Sequence, residues 1–442
     1  MSGGPAIAES SSTFETKVIR KLRIRLIPYL FLLYIVGYLD RINIGFAALT
    51  MNKDLAITSQ QFGLLVGIFF FGYCLFGVPS NLLLHKIGAR IWIARILIGW
   101  GFVALSTGFM RSVPELCVAR FLLGVAEAGF FPGILLYLTY WFRQREQAQA
   151  IALFLAGIPV TSVVGAPISG FILDHAHWMG ISSWRWLLIL EGFPALACGV
   201  LTYFVLPSRP AEAKFLTQDE KDWVTAELRR EAEQKQEAHA ISATQAMVNP
   251  RVWHLALIGL MLNIGMYTVT FWMPQEVKAL SSLYSNTTVG MLVMIPHLAG
   301  LVAMVWVSRN SDRTLERKYH AAIPAIIAGI AFLSLGATRS PFLSIALLAF
   351  VAAGIYSVYG PFYSLPGEFL TGFSAASGLA VISSVANFGG FVGPYAVGAI
   401  GTKTGSLYGG LALAGLSLLV SATLMLLLPM GGRLRKPHRG PA

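Results

Sequence analysis

The sequence predicts an all-α membrane protein, with twelve transmembrane helices arranged as two pseudo-symmetric bundles of six. Hydrophobic residues make up 55% of its 442 residues and charged residues only 12%, which is too apolar for a soluble domain of this size. Apolar runs long enough to cross a bilayer follow one another, with short polar turns between them. One long polar segment interrupts the series at its middle and divides the runs into two sets of six.

At about 20 residues per crossing, the apolar runs predict the position of every span. The predicted spans are 26–50, 60–84, 91–110, 114–141, 147–173, 184–206, 252–275, 287–307, 320–338, 341–366, 374–402 and 405–430. The chain then divides into an amino-terminal tail at 1–25, a first bundle at 26–206, a linker at 207–250, a second bundle at 251–430 and a carboxyl-terminal tail at 431–442.

The positive charges predict how the chain is oriented in the membrane. The net charge is +12, but the lysines and arginines lie in the turns between spans, which indicates membrane orientation rather than nucleic-acid binding. With a cytoplasmic amino terminus, 24 of the 33 lie on the cytoplasmic side, six lie on the other side, and Arg41, Arg95 and Arg120 fall within spans. Both termini are therefore expected in the cytoplasm, and the first span is expected to be an uncleaved anchor.

Two features indicate related halves joined by a linker. In the linker, Thr217-Gln218-Asp219-Glu220 has the form of a capping box and predicts a charged helix after it. The turn Leu84–Arg90 after the second span is matched by Ser311–Arg317 after the eighth. Gly165-Ala166-Pro167 in the fifth span is likewise matched by Gly393-Pro394 in the eleventh, and such residues let membrane helices approach and bend.

Four ionisable residues near the middle of the bilayer are the first candidates for a functional site. Asp40 and Arg41 lie about fifteen residues into the first span and Glu127 about thirteen into the fourth, so at ~1.5 Å per residue all three are near mid-membrane. Arg120 precedes Glu127 by two helical turns and shares its face. Charges at this depth cost at least ~2.5 kcal/mol each and are typical of solute pathways. The alternative is a structural role, in which each acid pairs with an arginine of the other helix.

Three further polar residues within the spans each have a functional and a structural interpretation. Glu191 in the sixth span either titrates or makes a hydrogen bond at a helix end. His297 in the eighth span is either a packed histidine with a hydrogen-bond partner or a functional group. Asn387, which is followed closely by Gly389 and Gly390, either faces a ligand or joins two helices by a hydrogen bond.

Tyrosines at helical spacing form another group of candidates. Tyr38 in the first span and Tyr356 and Tyr359 in the tenth are typical of packing, but a buried hydroxyl needs a partner, and a polar solute can supply one. The sequence has no metal-ligand spacing, phosphate loop or nucleophile elbow. We therefore expect no cofactor and no metal, and the sequence argues against an ATP-driven carrier and against a membrane enzyme.

Two motifs give the chain a family resemblance. The first span contains YLDRINIGFA at Tyr38–Ala47, and the fourth contains RFLLGVAEAGFFP at Arg120–Pro132. With twelve spans in two halves and the basic turn after the second span, these motifs resemble the anion:cation symporter family of the major facilitator superfamily, in particular its bacterial tartrate-transporter type. The resemblance covers essentially the whole chain and implies the major facilitator fold.

The resemblance implies a role for each residue that matches the family motifs. Arg41 corresponds to the arginine that binds the substrate carboxylate, and Asp40 beside it corresponds to a protonatable acid. Glu127 matches a carboxylate linked to proton coupling, and Arg120 matches the arginine on the same helix. Asn387 lies where sugar-acid carriers of the family have an asparagine that faces the ligand.

Two residues depart from the turn motif that the superfamily carries after the second and eighth spans. His85 stands where an aspartate is usual, and Ser308 stands where the second copy usually has glycine. Asp312 and Arg313 of the second copy are kept.

From the resemblance we expect a monomeric, proton-coupled symporter in the inner membrane of a bacterium. It would import a small organic anion, such as a tartrate-like dicarboxylate or a hydroxy or sugar acid, by alternating access. The alternatives are a symporter for aromatic carboxylates of the phthalate or hydroxyphenylacetate type, and an uncoupled anion uniporter or exporter. A receptor would need a signalling domain, for which the 44-residue linker at 207–250 is too short.

Overall fold

The computed structural model describes residues 4–237, 248–368 and 372–428, and within these residues the chain is helical and contains no strand. Long helices form because apolar side chains cover them and because, without water, each backbone group must find its partner inside the helix. Eleven of the described helices are long and apolar enough to cross a membrane. The helix Gly372–Thr404 adds a twelfth span, less apolar but 33 residues long, so the predicted fold class is confirmed.

The helices run in the predicted order. In the first half the spans are Gly4–Asp54, Ser59–Ile87, Ala89–Thr107, Val113–Glu127 with Phe130–Thr139, Gln144–Leu155 with Gly157–His175, and Ser183–Val205. The linker helix is Gln218–Glu237, and the spans of the second half are Pro250–Ala279, Asn286–Thr314, Lys318–Ser334, Pro341–Ser364, Gly372–Thr404 and Tyr408–Leu427. Short 3₁₀ turns occur at Trp178–Gly180, Pro210–Glu212, Leu335–Ala337 and Leu365–Glu368.

Three spans differ from their predicted form, and one of them is the fifth, which is divided into Gln144–Leu155 and Gly157–His175. The first helix begins at Gly4 rather than near residue 26, because Val18 and Leu22 of the expected tail are buried against the rest of the protein. The fourth span was expected as one helix, but it breaks after Glu127, where Gly129 has a φ of 87°. That left-handed conformation is open to glycine at little cost and ends the helix. The expected carboxyl-terminal tail, 431–442, lies outside the described residues.

The linker helix packs on the first half of the protein. Thr217 N donates to Glu220 Oε2 at 2.8 Å, and Glu220 N donates to Thr217 Oγ1 at 3.4 Å, so the predicted capping box is confirmed. Glu220 also pairs with Lys21 at 2.6 Å, and Arg143 bridges Glu15 at 2.7 Å and Glu227 at 3.2 Å. We call the end of the bundle that carries this helix the linker end.

The matched turns at the linker end each contain a residue with a positive φ. Gly88 has a φ of 95° and Leu315, at the same place in the second copy, has a φ of 54°. A left-handed backbone costs a leucine roughly 1–2 kcal/mol, whereas a glycine adopts it freely. Both copies therefore have a positive φ at this position, with ψ at 148° for Gly88 and at 27° for Leu315, although the second copy has no glycine there.

At the opposite end, the two halves are in close contact along two seams. Between the second and eleventh spans, a Cβ on Gly63 would lie 2.4 Å from the carbonyl oxygen of Pro394. Between the fifth and eighth spans, a Cβ on Gly290 would lie 2.3 Å from the carbonyl oxygen of Ala166. Gly63 and Gly290 have the same spacing as the matched turns, so the two seams are copies of one contact. Only glycine permits backbones to approach this closely.

Each seam also carries hydrogen bonds at its outer limit. Asp174 of the fifth span accepts four, from the backbone and side chains of Asn286 and Thr287 at 2.7 to 3.1 Å, and so caps the eighth span. In the other seam, Gln60 N donates to Thr402 Oγ1 at 2.9 Å. The opposite end of the bundle is therefore closed.

Candidate functional site

The predicted charged residues of the first and fourth spans come together in the structure. Arg41 Nη2 donates to Glu127 Oε1 in an ion pair, with side chains that are 12% and 5% exposed. Glu127 is the last residue of its helix segment, immediately before the break at Gly129. The backbone break therefore ends the helix at the acid that neutralises Arg41.

Aromatic rings surround the guanidinium of Arg41. Its central carbon lies 5.9 Å from the ring centre of Tyr38, 5.3 Å from that of Phe69 and 5.2 Å from that of Tyr73. Such ring faces attract a cation. Tyr267 of the seventh span also lies within electrostatic range of Arg41, so Arg41 faces the second half of the protein.

Arg120 lies behind Arg41 on the same side of the bundle. It is 2% exposed, and its guanidinium carbon lies 5.2 Å from the ring centre of Phe69. Within the described part of the chain, its Nε and Nη2 have no hydrogen-bond partner. Asp40 and Arg120 interact electrostatically without forming an ion pair. Of the two possible pairings between these helices, the structure therefore contains the one between Arg41 and Glu127.

The second half supplies hydrogen-bonded tyrosines at the same level. Tyr359 donates its hydroxyl to Asn263 Oδ1 at 2.8 Å, and Tyr267 donates to Asn387 Oδ1 at 3.3 Å. Asn387 therefore joins the eleventh and seventh spans, as its structural interpretation requires, through a tyrosine that also approaches Arg41.

Two further contacts place the remaining tyrosines. Tyr356 and His297 share a hydrogen bond of 3.0 Å between the hydroxyl and Nδ1, with both residues buried. His297 thus has the partner that a packed histidine needs. The hydroxyl of Tyr38 faces Thr270 on the seventh span, so Tyr38 lies where the two halves meet, next to Arg41.

A further tyrosine of the tenth span lies on the linker-end side of this region. Tyr363 lies one turn beyond Tyr359 on the tenth span and stacks on it, with ring centres 6.0 Å apart. It is also within electrostatic range of Tyr73 on the second span, so it faces the interior of the protein. Its side chain is nevertheless 37% exposed. Tyr363 is therefore accessible to solvent as well as to this group of tyrosines.

The environment of Glu191 differs from the predicted helix-end hydrogen bond. Glu191 lies well inside the helix Ser183–Val205 and is 3% exposed. Its Oε1 accepts a hydrogen bond of 2.7 Å from Ser169 Oγ on the fifth span. The sixth span continues at both sides of the residue, so its partner comes from a neighbouring helix instead of a helix end.

The residues that depart from the turn motif lie at the linker end, away from this region. His85 is in the last turn of the helix Ser59–Ile87. Ser308 packs on the tenth span, where a Cβ on Gly360 would meet its Oγ at 2.3 Å. Asp312 pairs with Arg317 at 2.6 Å within the second copy of the turn.

Three residues that contribute to this site were missed by the sequence reasoning: Tyr73, Asn263 and Tyr267. Tyr73 carries no signal of its own, since tyrosines are frequent in the interior of membrane bundles. Asn263 and Tyr267 are separated by one helical turn in an apolar span, so they share a face. That pairing of an amide with a hydroxyl was a signal of the kind that identified Asn387.

Comparison with known proteins places this arrangement in a family. The family model described as Major Facilitator Superfamily matches residues 30–394. A protein of Agrobacterium vitis named "Putative tartrate transporter" is 45% identical over 421 residues, which is 95% of this chain and 92% of the relative. The inner membrane transport protein RhmT of Escherichia coli K12 is 36% identical over 384 residues, which is 87% of this chain and 89% of the relative.

A solved structure shows the same fold. The xylose transporter XylE from E. coli, in a partially occluded inward open conformation, matches with a TM-score of 0.72 at 16% identity, over 92% of this chain and 99% of that chain. The family match and the close relatives agree with the resemblance that the two sequence motifs carried. The chain belongs to the Major Facilitator Superfamily, in its bacterial tartrate-transporter type, and is a multi-pass membrane transporter and not an enzyme.

Proposed function

We propose that the protein imports a small organic anion together with protons by alternating access, with a tartrate-like dicarboxylate or a hydroxy or sugar acid as substrate. The observation that carries this proposal is the buried ion pair between Arg41 and Glu127, which faces the second half of the protein. A buried arginine is suited to a carboxylate because its guanidinium donates two parallel hydrogen bonds. A name given to a relative, tartrate transporter, points to the same substrate class.

Coupling to protons has an energetic reason. An anion that enters an inside-negative cell is opposed by ~2.3 kcal/mol per charge per 100 mV, so its accumulation requires cations to move with it. Protonation of Glu127 would remove the negative partner of Arg41. The freed guanidinium would then bind the substrate carboxylate in place of Glu127, and loss of the proton on the inner side would restore the ion pair and release the substrate.

The remaining predicted residues complete the site in this proposal. Tyr38, Tyr356 and Tyr359 offer hydroxyl groups to the substrate, and Asn387 offers an amide. Tyr356, Tyr359 and Asn387 each have a hydrogen-bond partner within the protein, so none of these three depends on the substrate to avoid a buried unpaired group. Asp40 and Arg120 provide a second acid and a second base, which would serve the second carboxylate of a dicarboxylate.

The conformation of the protein fits one stage of the cycle. The closed seams lie at the opposite end, and the exposed Tyr363 lies toward the linker end. With both termini in the cytoplasm, as the distribution of lysine and arginine indicates, this is the state that opens inward. We further propose that the protein works as a monomer in the bacterial inner membrane, since each half supplies part of one site within a single chain.

The first test replaces Arg41. In proteoliposomes with an imposed inward proton gradient, Arg41→Ala is expected to abolish uptake of tartrate and to remove the thermal shift that tartrate gives with the purified protein. The control is Arg95→Ala, because Arg95 is an arginine within a span whose side chain is exposed. If tartrate affinity is unchanged in Arg41→Ala, Arg41 does not bind the substrate and this part of the proposal is refuted.

The second test separates coupled from uncoupled transport. Glu127→Gln mimics the protonated acid, so it is expected to bind and exchange substrate across the membrane but not to concentrate it under a proton gradient. Accumulation by Glu127→Gln at the normal level would refute the role of Glu127. Uptake that does not acidify the vesicle interior would favour the uniporter or exporter, and a thermal-shift panel with aromatic acids tests the other alternative.

A further inference from the structure

A second group of buried polar residues lies beside the Arg41–Glu127 pair, between the first, fifth and sixth spans. Asp40 and Glu191 are 1% and 3% exposed, and Asn43 between them is 2% exposed. Asn43 Nδ2 donates to Asp40 Oδ1 at 3.4 Å, and the Asn43 side chain also faces Glu191. Asn43 therefore lies between two carboxyl groups that interact electrostatically.

The hydrogen bonds of this group are incomplete in one particular way. Asp40 Oδ2, Asn43 Oδ1 and Glu191 Oε2 are buried acceptors, and none of them has a hydrogen-bond partner among the described residues. If Asn43 gives its amide to Asp40, its carbonyl oxygen is left facing the second acid. A buried acceptor without a donor is costly. Trp100 Nε1 on the third span is a buried donor without a partner and faces Asp40, so it can serve that acid but leaves Asn43 Oδ1 and Glu191 Oε2 without a donor. A proton bound to Glu191 would supply the donor that these two acceptors lack.

The charges near the middle of the first half lead to the same conclusion. Three acids, Asp40, Glu127 and Glu191, face two bases, Arg41 and Arg120. One acid is therefore unbalanced when all five are ionised, and an isolated buried carboxylate is strongly disfavoured in an apolar interior. Glu127 is neutralised by Arg41, and Asp40 interacts with Arg120. Within the described part of the chain, Glu191 is left with Ser169 and the amide of Asn43 as its hydrogen-bonding neighbours.

We propose that Glu191 is a second proton-binding site, which keeps its proton at neutral pH and donates it to Asn43 Oδ1. The titratable group that faces it from the first span is Asp40, with Arg120 of the fourth span beyond Asp40. The third span packs closely on the sixth, and Ala104 and Leu105, which do not titrate, lie beside Gly192 there. On the fifth span its partner is the hydroxyl of Ser169, which does not titrate. Glu191 is a positioning residue: its neutral acid orients Asn43, and Asn43 in turn holds the ionised Asp40 beside Arg120.

Infrared spectroscopy of the purified protein in lipid at pH 7 tests this assignment directly. The band of a protonated carboxyl group is expected in the wild type and is expected to be lost in Glu191→Gln. The matched control is Glu115→Gln, which replaces an exposed glutamate at the start of the fourth span and should leave the band in place. Identical spectra for the wild type and Glu191→Gln would overturn the inference.

Two further measurements distinguish a neutral positioning acid from other roles. Because glutamine is neutral and similar in shape, Glu191→Gln should keep proton-driven uptake and its pH profile within about two-fold of the wild type. A folded Glu191→Gln protein with uptake reduced by roughly tenfold or more would show that the charge of Glu191 is needed, and would overturn the inference. If Glu191→Gln does not fold, Asn43→Ala replaces it: the carboxyl band should shift in frequency, and an unshifted band would refute the bridge.

The uptake measurement rests on the proposed function, but the infrared measurements do not. A missing carboxyl band would show that Glu191 is not protonated, and would leave the proposal of anion transport unaffected. An absence of anion uptake in the wild type would overturn the proposed function and leave the carboxyl band as it is.

Discussion

Replacement of Gly124 by alanine should separate the second and fourth spans and displace the site. Gly124 lies on the fourth span, three residues before Glu127, where that helix meets the second span. A Cβ at this position would lie 2.0 Å from the carbonyl oxygen of Phe69 and 3.0 Å from the backbone nitrogen of Tyr73. Both atoms belong to the backbone of a long helix and cannot rotate away.

The size of the effect follows from this distance. Real Cβ contacts are essentially never shorter than 3.0 Å, so the helices must move apart by about 1 Å, and overpacking of this kind typically costs ~1–3 kcal/mol. Phe69 and Tyr73 both contact Arg41, and Glu127 pairs with it, so the displacement reaches the ion pair. If this free energy destabilises only the substrate-binding conformation, the affinity for substrate falls about 5- to 150-fold.

The assay compares Gly124→Ala with Gly99→Ala. Gly99 is an exposed glycine within the third span, and a Cβ there meets nothing within 4 Å, so its replacement should cost nothing and gain helix propensity of ~1 kcal/mol. We expect Gly124→Ala to melt at a lower temperature than the wild type and to bind tartrate more weakly, while Gly99→Ala does neither. Equal melting temperatures and equal affinities for the two variants would refute the argument from backbone contact.

Three other outcomes follow from the structure. Leu315→Gly should raise stability, by up to ~1–2 kcal/mol in denaturant unfolding, because it removes a left-handed leucine whose side chain is 80% exposed; no gain would mean the turn is not strained. Asp174→Ala should open the closed end more than Thr402→Ala, because it removes four hydrogen bonds instead of one. A cysteine introduced at the closed end should therefore react faster with a thiol reagent in Asp174→Ala than in Thr402→Ala, and equal rates would contradict this. Burial alone would raise the pKa of Glu220, but hydrogen bonds from Lys21 and the Thr217 backbone hold it below its ordinary 4.5. Linker docking, measured by protection of the linker from protease cleavage, should therefore hold above pH 4.5 and weaken as the pH falls further. Lys21→Met should reduce that dependence, and an unchanged dependence would contradict the role of the Lys21–Glu220 pair.

The sequence was most informative where a residue type is costly in its surroundings. Charges in apolar spans are rare, so Asp40, Arg41, Arg120 and Glu127 were recognisable as a group, and their depth along the spans placed them at one level of the bilayer. The twelve spans were recognisable for the complementary reason, because long apolar runs have few uses outside a bilayer.

Other features depend on helix rotation, which hydropathy does not report. Tyr73 and Tyr267 approach Arg41 because their helices turn those faces inward, and the sequence offers no measure of that angle. The break after Glu127 depends on a single glycine in a span with several. The environment of Glu191 could not be predicted either, since its partner Ser169 comes from a different helix.

The two seams at the closed end are copies of one contact, but they are fastened with different strength. The seam between the fifth and eighth spans is held by a carboxylate at a helix amino terminus, where the helix dipole adds to its hydrogen bonds. The seam between the second and eleventh spans has an uncharged hydroxyl in the equivalent place. In the proposed alternating-access cycle, the seam without a charged group, between the second and eleventh spans, should open first. The substrate would then enter past these two helices while the seam held by Asp174 still serves as the hinge.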